Sequence, residues 1–292
     1  IATNSGGMKT SGVELNVSSR IINRPLLKWD VSAGIATYRN RITQLPDDRI
    51  ITPFAGANIL TQAGQAANVF YGYKTRGVYS SDEAAAADGL SARLSNGALA
   101  PFKGGDVIFE DVTGDNQIDE RDMQVIGNPN PDLTGMFSSS LSWRRFTFDA
   151  LLTFSVGNDV YNYMRSELEA GSNYNNQLPT MVNRWRSPGQ VTNTPKAVWG
   201  DPMGNSRFSD RWIEDGSYLR LRTVSIAYNV RIKPAFLKYI TVYASANNLV
   251  TFSKYLGYDP EFSATDHVFG QGVDIGLEPQ VRSVQTGVRI GL

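Results

Sequence analysis

The feature that most limits this chain is the spacing of its turns. Stretches that alternate apolar and polar residues are joined by connections that are alternately short and long. A two-residue period is that of a β-strand with one greasy face. From Gly12 onward, Val13, Leu15, Val17 and Ile21 share one parity, with Glu14, Asn16, Ser18 and Arg20 on the other. Trp29, Val31, Ala33 and Ile35 repeat the pattern to about Ile42, after a break at Asn23-Arg24-Pro25. Leu133–Trp143 and the stretch from Phe146 through Phe148, Ala150, Leu152 and Phe154 follow, separated only by Arg144-Arg145. Tyr218–Val230, 239–252 and 282–292 complete seven predicted strands. Within Tyr218–Val230 the apolar parity slips between Leu221 and Val224, as expected of a bulge or of a strand that extends beyond the bilayer, where neither face need be apolar.

The three long connections cover about 43–132, 157–211 and 253–281. Short turns on one rim and long loops on the other describe an antiparallel up-and-down transmembrane β-barrel, with its long loops outside the cell. Structureless loops of this length would count against an ordinary soluble domain. Inside the first loop, 69–79 reads as a hairpin or as two more membrane strands, and 81–88 as a short capped helix. Aromatic residues mark strand ends, among them Trp29, Tyr38, Trp143, Phe146, Tyr218, Tyr228, Tyr239 and Phe252. Such rings form girdles at the two membrane interfaces.

Composition removes several alternatives. The 28 basic and 28 acidic residues cancel, so no basic stripe awaits nucleic acid. There are no cysteines and a single histidine, His267, which leaves neither thiolate metal sites nor an easily built Ser-His-Asp triad. His267 reads as a solvated loop residue. No apolar run approaches the ~18 residues of a spanning helix, which excludes helical spans and leaves strands open. The chain begins at Ile1 without an initiator Met or signal peptide and reads as part of something longer.

The most distinctive local motif is acidic. Asp111, Thr113, Asp115, Gln117, Asp119 and Asp122 fall at the spacing of an EF-hand or dockerin-type calcium loop, with Asn116 at its sharp turn. A structural Ca2+ is one expectation, and an Asx-rich turn capped by its own backbone is the other. Tyr174, Trp185, Trp199 and Trp212 lie in long loops, where they could stack on sugar rings, meet a partner protein or pack the loop interior. Carboxylates at Glu167 and Glu169, or Glu214 and Asp215, have no spacing that suggests a hydrolytic pair. The chain is not expected to be an enzyme.

An ordered set of motifs resembles the SusC/RagA family of TonB-dependent outer-membrane transporters. Gly105-Asp106-Val107 with Phe109 to Asp119 resembles the family's "GDVKFxDxNGDGxID", with Thr113 and Asn116 where Asn and Gly are usual. Gly127-Asn128-Pro129-Asn130-Pro131 after Ile126 resembles "IGNPNP", and Gly157-Asn158-Asp159-Val160-Tyr161-Asn162 resembles "GNDIYN". The run from Ser209-Asp210-Arg211-Trp212 through Tyr218-Leu219-Arg220-Leu221 is similar to "SDRFIEDGSYLRLKN". Asn247-Asn248-Leu249, Gly257-Tyr258-Asp259-Pro260-Glu261 and Gly12-Val13-Glu14-Leu15 are similar to "GxNLFT", "GYDPE" and "NKGVELxL".

The resemblance covers nearly the whole chain and implies the C-terminal part of a 22-stranded barrel. It implies residence in the outer membrane of a Gram-negative cell, against its lipid. It further implies import of oligosaccharide or peptide together with a SusD-like surface lipoprotein. Energy would come from TonB-ExbB-ExbD, acting through a plug and TonB box absent from this segment. Leu292 stands last, where barrel proteins commonly end in an aromatic residue. The competing reading is a secreted, soluble all-β carbohydrate-binding module with a structural calcium loop. The two differ in whether the apolar strand face points outward or is buried.

Overall fold

The computed structural model describes residues 6–232, 237–264 and 270–291; His267 and Leu292 lie outside them. Seven strands form one sheet: β1 (Gly7–Arg24), β2 (Leu27–Gln44), β3 (Leu133–Trp143), β4 (Phe146–Val156), β5 (Tyr218–Val230), β6 (Tyr239–Ser253) and β7 (Ser283–Gly291). Each pairs antiparallel with its sequence neighbour, so spatial order equals chain order. The seven predicted strands are these seven. β1 and β2 run further than their apolar alternation, to 18 residues each, well beyond the ~9–11 that cross a bilayer.

The pairing registers put every strand's apolar parity on one side. Leu27, Trp143, Phe146, Tyr228, Val242 and Val288 stand abreast across six strands. Higher up, Val17, Ala33, Phe137, Leu152, Leu221 and Val250 form another apolar row. On the opposite face one row is polar from edge to edge: Arg20, Asp30, Ser140, Asp149, Ser225, Ser245 and Gln285. Ser140 and Ser225 both donate to Asp149, at 2.6 and 3.0 Å.

Keeping that sidedness requires an irregularity in β5. Between Leu151 and Leu152 of β4, register shifts by one residue against β5, and Arg222 is the extra residue. The shift sits where the apolar parity slips in sequence. Arg220 and Arg222 share the polar face by ordinary alternation, and the bulge turns the adjacent Arg222 and Thr223 the same way, so that Leu221 and Val224 both stay on the apolar side. β6 compensates one strand on, near Asn248, which has φ +52°.

The core lies elsewhere. Of the buried apolar residues, Ile42 alone comes from the seven strands; the rest belong to the connections. On the strands' apolar face, Val13 is 71% exposed and Val284 74% exposed. A sheet that leaves its greasy face open and turns polar groups inward is an arc of barrel wall, not half of a sandwich.

The two-residue turns at 25–26 and 144–145 share one rim, where the Arg144 amide donates to the Leu26 carbonyl at 2.8 Å. All three long connections share the other rim. They are not structureless: Ala57, Ile59, Phe70, Tyr161, Phe208, Trp212 and Val273, drawn from all three, make one hydrophobic cluster. Helix α1 (Asp82–Asp88) is capped by Ser81 and ends at Gly89, φ +74°, as its sequence predicts. The predicted 69–79 hairpin does not form. Val69–Gly72 pairs with Ala57–Gln62 and Gln124–Gly127, while Thr75–Val78 pairs with Val107–Phe109. At Gly72 the chain lies close against Phe208 of the second loop, where a Cβ would meet the Phe208 carbonyl at 2.6 Å.

Candidate functional site

The two halves of the molecule meet where the loop layer sits over the polar face of the wall. Three side chains of β5 reach up from it. Arg220 donates to Asp259 at 2.5 Å and to Glu261, and its Nε donates to Thr251 at 2.9 Å. Arg222 donates to Glu261 at 2.6 Å and to Gln280 at 2.7 Å. The Tyr218 hydroxyl donates to Glu261 at 2.6 Å. Tyr218 is therefore a lumen-face residue and not part of an aromatic girdle. Strand alternation sets Tyr218, Arg220 and Arg222 on one face, and the third loop supplies the carboxylates.

A second tie joins the segment leading into β3 to the segment leaving β4. The Asn128 amide donates to Asp159 Oδ2 at 2.7 Å and the Asp159 amide donates to the Asn128 carbonyl at 2.8 Å. Burial pushes the Asp159 carboxyl up, against the pull of the Asn128 amide. A third tie is Tyr255, whose hydroxyl donates to Asp274 at 2.6 Å; burial, reinforced by that bond, pushes the phenol well up. Tyr218, Arg222 and Glu261 of the first tie border a recess of about 580 Å³, lined also by Glu14, Asn16, Thr153 and Gln271. Its wall mixes apolar surface from Met136, Val160 and Phe262 with charged and hydrogen-bonding groups of both signs.

Arg165 organises the second loop. It holds Glu169 at 3.2 Å and Glu214 at 2.9 Å; Glu169 is buried and Glu214 mostly so. Each is thus committed to one guanidinium, which is a structural ion-pair arrangement and not a pair set across a scissile bond.

The acidic loop closes on itself. Asp122, fully buried, accepts from the amides of Val112, Thr113 and Asp119 at 3.0, 3.1 and 2.9 Å, and from the Thr113 hydroxyl at 3.1 Å. Asp111 accepts from the Gly114 and Asn116 amides at 2.7 and 2.8 Å. Arg121 takes Asp115 at 2.5 Å and Asp119 at 2.8 Å. That guanidinium holds the Asp119 carboxyl down to about 2. The Gln117 side chain donates to Asp119 at 3.2 Å.

Calcium needs six to eight oxygens pointing at one centre. Among the described residues no three acidic or histidine groups converge in that way. The donor set does not fit the ion: Arg121 already supplies the positive charge. Asn116 takes φ +59° at the sharp turn, as the spacing requires under either reading.

The four loop aromatics separate. Trp212 is completely buried, its Nε1 donates to the Arg207 carbonyl at 3.0 Å, and Arg165 and Arg211 lie over its ring at 5.6 and 4.7 Å. It is a core residue with no surface to offer a ligand, which corrects the reading of it as a contact. Burial holds the Arg211 guanidinium down to about 10. Trp185 is half-buried; its ring packs on Gly105, and its Nε1 donates to the Ser80 carbonyl at 3.0 Å. Tyr174 and Trp199 form an exposed pair with ring centroids 4.4 Å apart, Tyr174 being 91% exposed. The clamp of Tyr218, Arg220 and Arg222 was missed from sequence. The parity slip at Arg222 was its one visible trace.

No family model matches the chain. It is 30% identical over 302 residues to TonB-dependent receptor P3 of Formosa agariphila, a match covering 98% of this chain and 29% of that protein. It is 27% identical over 310 residues to TonB-dependent receptor SusC of Bacteroides thetaiotaomicron, covering 98% and 27% respectively. The fold matches the solved RagAB peptide transporter with a TM-score of 0.77 at 23% identity, over 98% of this chain and 30% of that one. The chain spans less than a third of each of these proteins. They are named as receptors and a transporter, not as enzymes.

Proposed function

We infer that this chain, a SusC/RagA-like segment of a TonB-dependent transporter, is a stretch of outer-membrane barrel wall from a protein that imports oligosaccharide or peptide. The observation that carries the reading is the continuous apolar face of the seven strands, exposed while the opposite face is polar. That arrangement loses free energy in water, at about 25 cal/mol for each Å² of apolar surface left uncovered. It gains it in a bilayer. The loop layer then lies outside the cell, above a lumen in which the recess opens. A SusD-like lipoprotein would seat on that layer, and TonB-ExbB-ExbD would act through regions beyond this segment. The exposed Tyr174–Trp199 pair is the loop surface best built for such a partner, or for stacking on a sugar ring.

The test is uptake by cells carrying or lacking the complete gene, across a panel of oligosaccharides and mixed peptides. Loss of growth on one class, restored by the intact gene, supports import. Unchanged uptake of every compound contradicts it. A protein carrying Tyr174→Ala and Trp199→Ala should reach the membrane normally, with reduced uptake or reduced recovery of its lipoprotein. The soluble binding-module reading requires the apolar face to be covered, which these registers do not provide.

A further inference from the structure

On the apolar side of the wall, just below the loop rim, the surface is grooved. Phe154 and Val156 of β4, Leu219 of β5 and Phe252 of β6 line an open depression of about 580 Å³. These residues belong to the outward parity, with Phe154, Leu219 and Phe252 side by side in register. Phe252 is 65% exposed and stands as one side of the groove. Phe154 can lie low because its neighbour on the other side is Gly135, where a Cβ would meet the ring at 2.6 Å.

The upper lip of the groove is polar and carries one cation. Lys254 forms no ion pair among the described residues. Asp215, which also lines the groove, accepts from the Ser217 amide at 2.9 Å; Ser217, with a smaller contribution from the Lys254 charge, holds its carboxyl down. Ser253 donates to the Ser217 carbonyl at 2.9 Å, which fixes the strand end that presents Lys254. The groove is thus apolar along its length and positively charged at its top. It is continuous with the face assigned to the bilayer.

We propose that this groove is a lipid site: it seats an acyl chain of a membrane lipid along Phe154, Leu219 and Phe252, with the lipid's phosphate at Lys254. The match is one of chemistry and depth. An acyl chain fills an apolar furrow that neighbouring side chains leave unfilled. A phosphate at interface depth meets an ammonium that forms no ion pair among the described residues. The proposal rests on the membrane reading above and goes beyond it, since a barrel wall needs no specific lipid.

The experiment uses the complete transporter in mild detergent, exposed to equal amounts of dimyristoylphosphatidylglycerol and dimyristoylphosphatidylcholine and read by native mass spectrometry. Retention of the anionic lipid about fivefold over the zwitterionic one is expected. Lys254→Gln should abolish that preference without changing assembly, and Leu219→Trp, which fills the furrow, should lower retention of both. Equal retention of the two lipids by the wild type overturns the proposal, as does a preference that survives Lys254→Gln. Either result leaves the membrane reading standing. A protein that is monodisperse without detergent removes the membrane reading and this proposal with it.

Discussion

Arg220 and Asp259 meet at 2.5 Å with only 3% and 4% of their side chains exposed, joining the wall strand β5 to the loop between β6 and β7. Thirty-nine positions separate them in sequence. Their contact is the mechanical link between barrel wall and loop layer, and Glu261 completes it by accepting from Arg220, Arg222 and Tyr218. Removing one member of a buried ion pair leaves the others charged and unpaired, at about 3–5 kcal/mol.

Arg220→Ala should therefore release the third loop while leaving the wall in place. Limited proteolysis of the complete protein in detergent should show new cleavage within 254–282 and none within β3 to β5. Arg220→Lys should release it as well. An ammonium cannot reproduce the forked contacts to Asp259, Glu261 and Thr251.

The acidic loop should behave as a self-closed turn. Calcium titrated into the protein should give a flat calorimetric trace, identical to that of Asp111→Ala. Asp122→Ala should destabilise the loop by about 1–3 kcal/mol, because three amides lose a buried acceptor together. Faster hydrogen exchange at Val112, Thr113 and Asp119 would register that loss. A saturable calcium signal would restore the cation reading.

Acid should loosen the same loop by a known route. The Asp119 carboxyl is held at about 2, below its ordinary 3.8, first by the side chain of Arg121. A depressed carboxylate contributes stability above the ordinary value, and that contribution is lost as pH falls through the folded one. Pepsin cleavage within 111–122 should be faster in Asp119→Asn than in wild type at pH 4. The difference should close as pH approaches 2. The group is largely solvated, so the effect is small.

How much of this was legible in the sequence depends on the range of the cause. The seven strands were readable because alternation is written into each strand alone, and even the bulge at Arg222 left a parity slip. α1 was readable from Ser81 and from Asp82-Glu83 leading an alanine run, signals that act within a turn or two. The interior of the loop layer was not. Its strands are mostly three to six residues long, too short for a period to emerge, and several find partners far along the same loop, as Val69–Gly72 does with Gln124–Gly127. Val69–Gly72 and Thr75–Val78 resembled a hairpin because they are adjacent, but burial against Phe208 and pairing with Val107–Phe109 decided their partners. Trp212 and Tyr174 are both loop aromatics in sequence. Only packing shows that one is core and the other surface. The acidic spacing fits a calcium loop, and the residue that changes its meaning is Arg121, which the spacing rule does not weigh.

The central claim is that one face of these strands meets lipid. Single cysteines placed by Met136→Cys through Leu141→Cys in β3, spin-labelled in the complete protein in bilayers, test it directly. Labels at 137, 139 and 141 should collide with oxygen dissolved in the membrane core. Labels at 136, 138 and 140 should instead respond to a water-soluble nickel chelate or be shielded from both. Collision with the chelate at all six positions, or no two-residue period between them, would contradict the account.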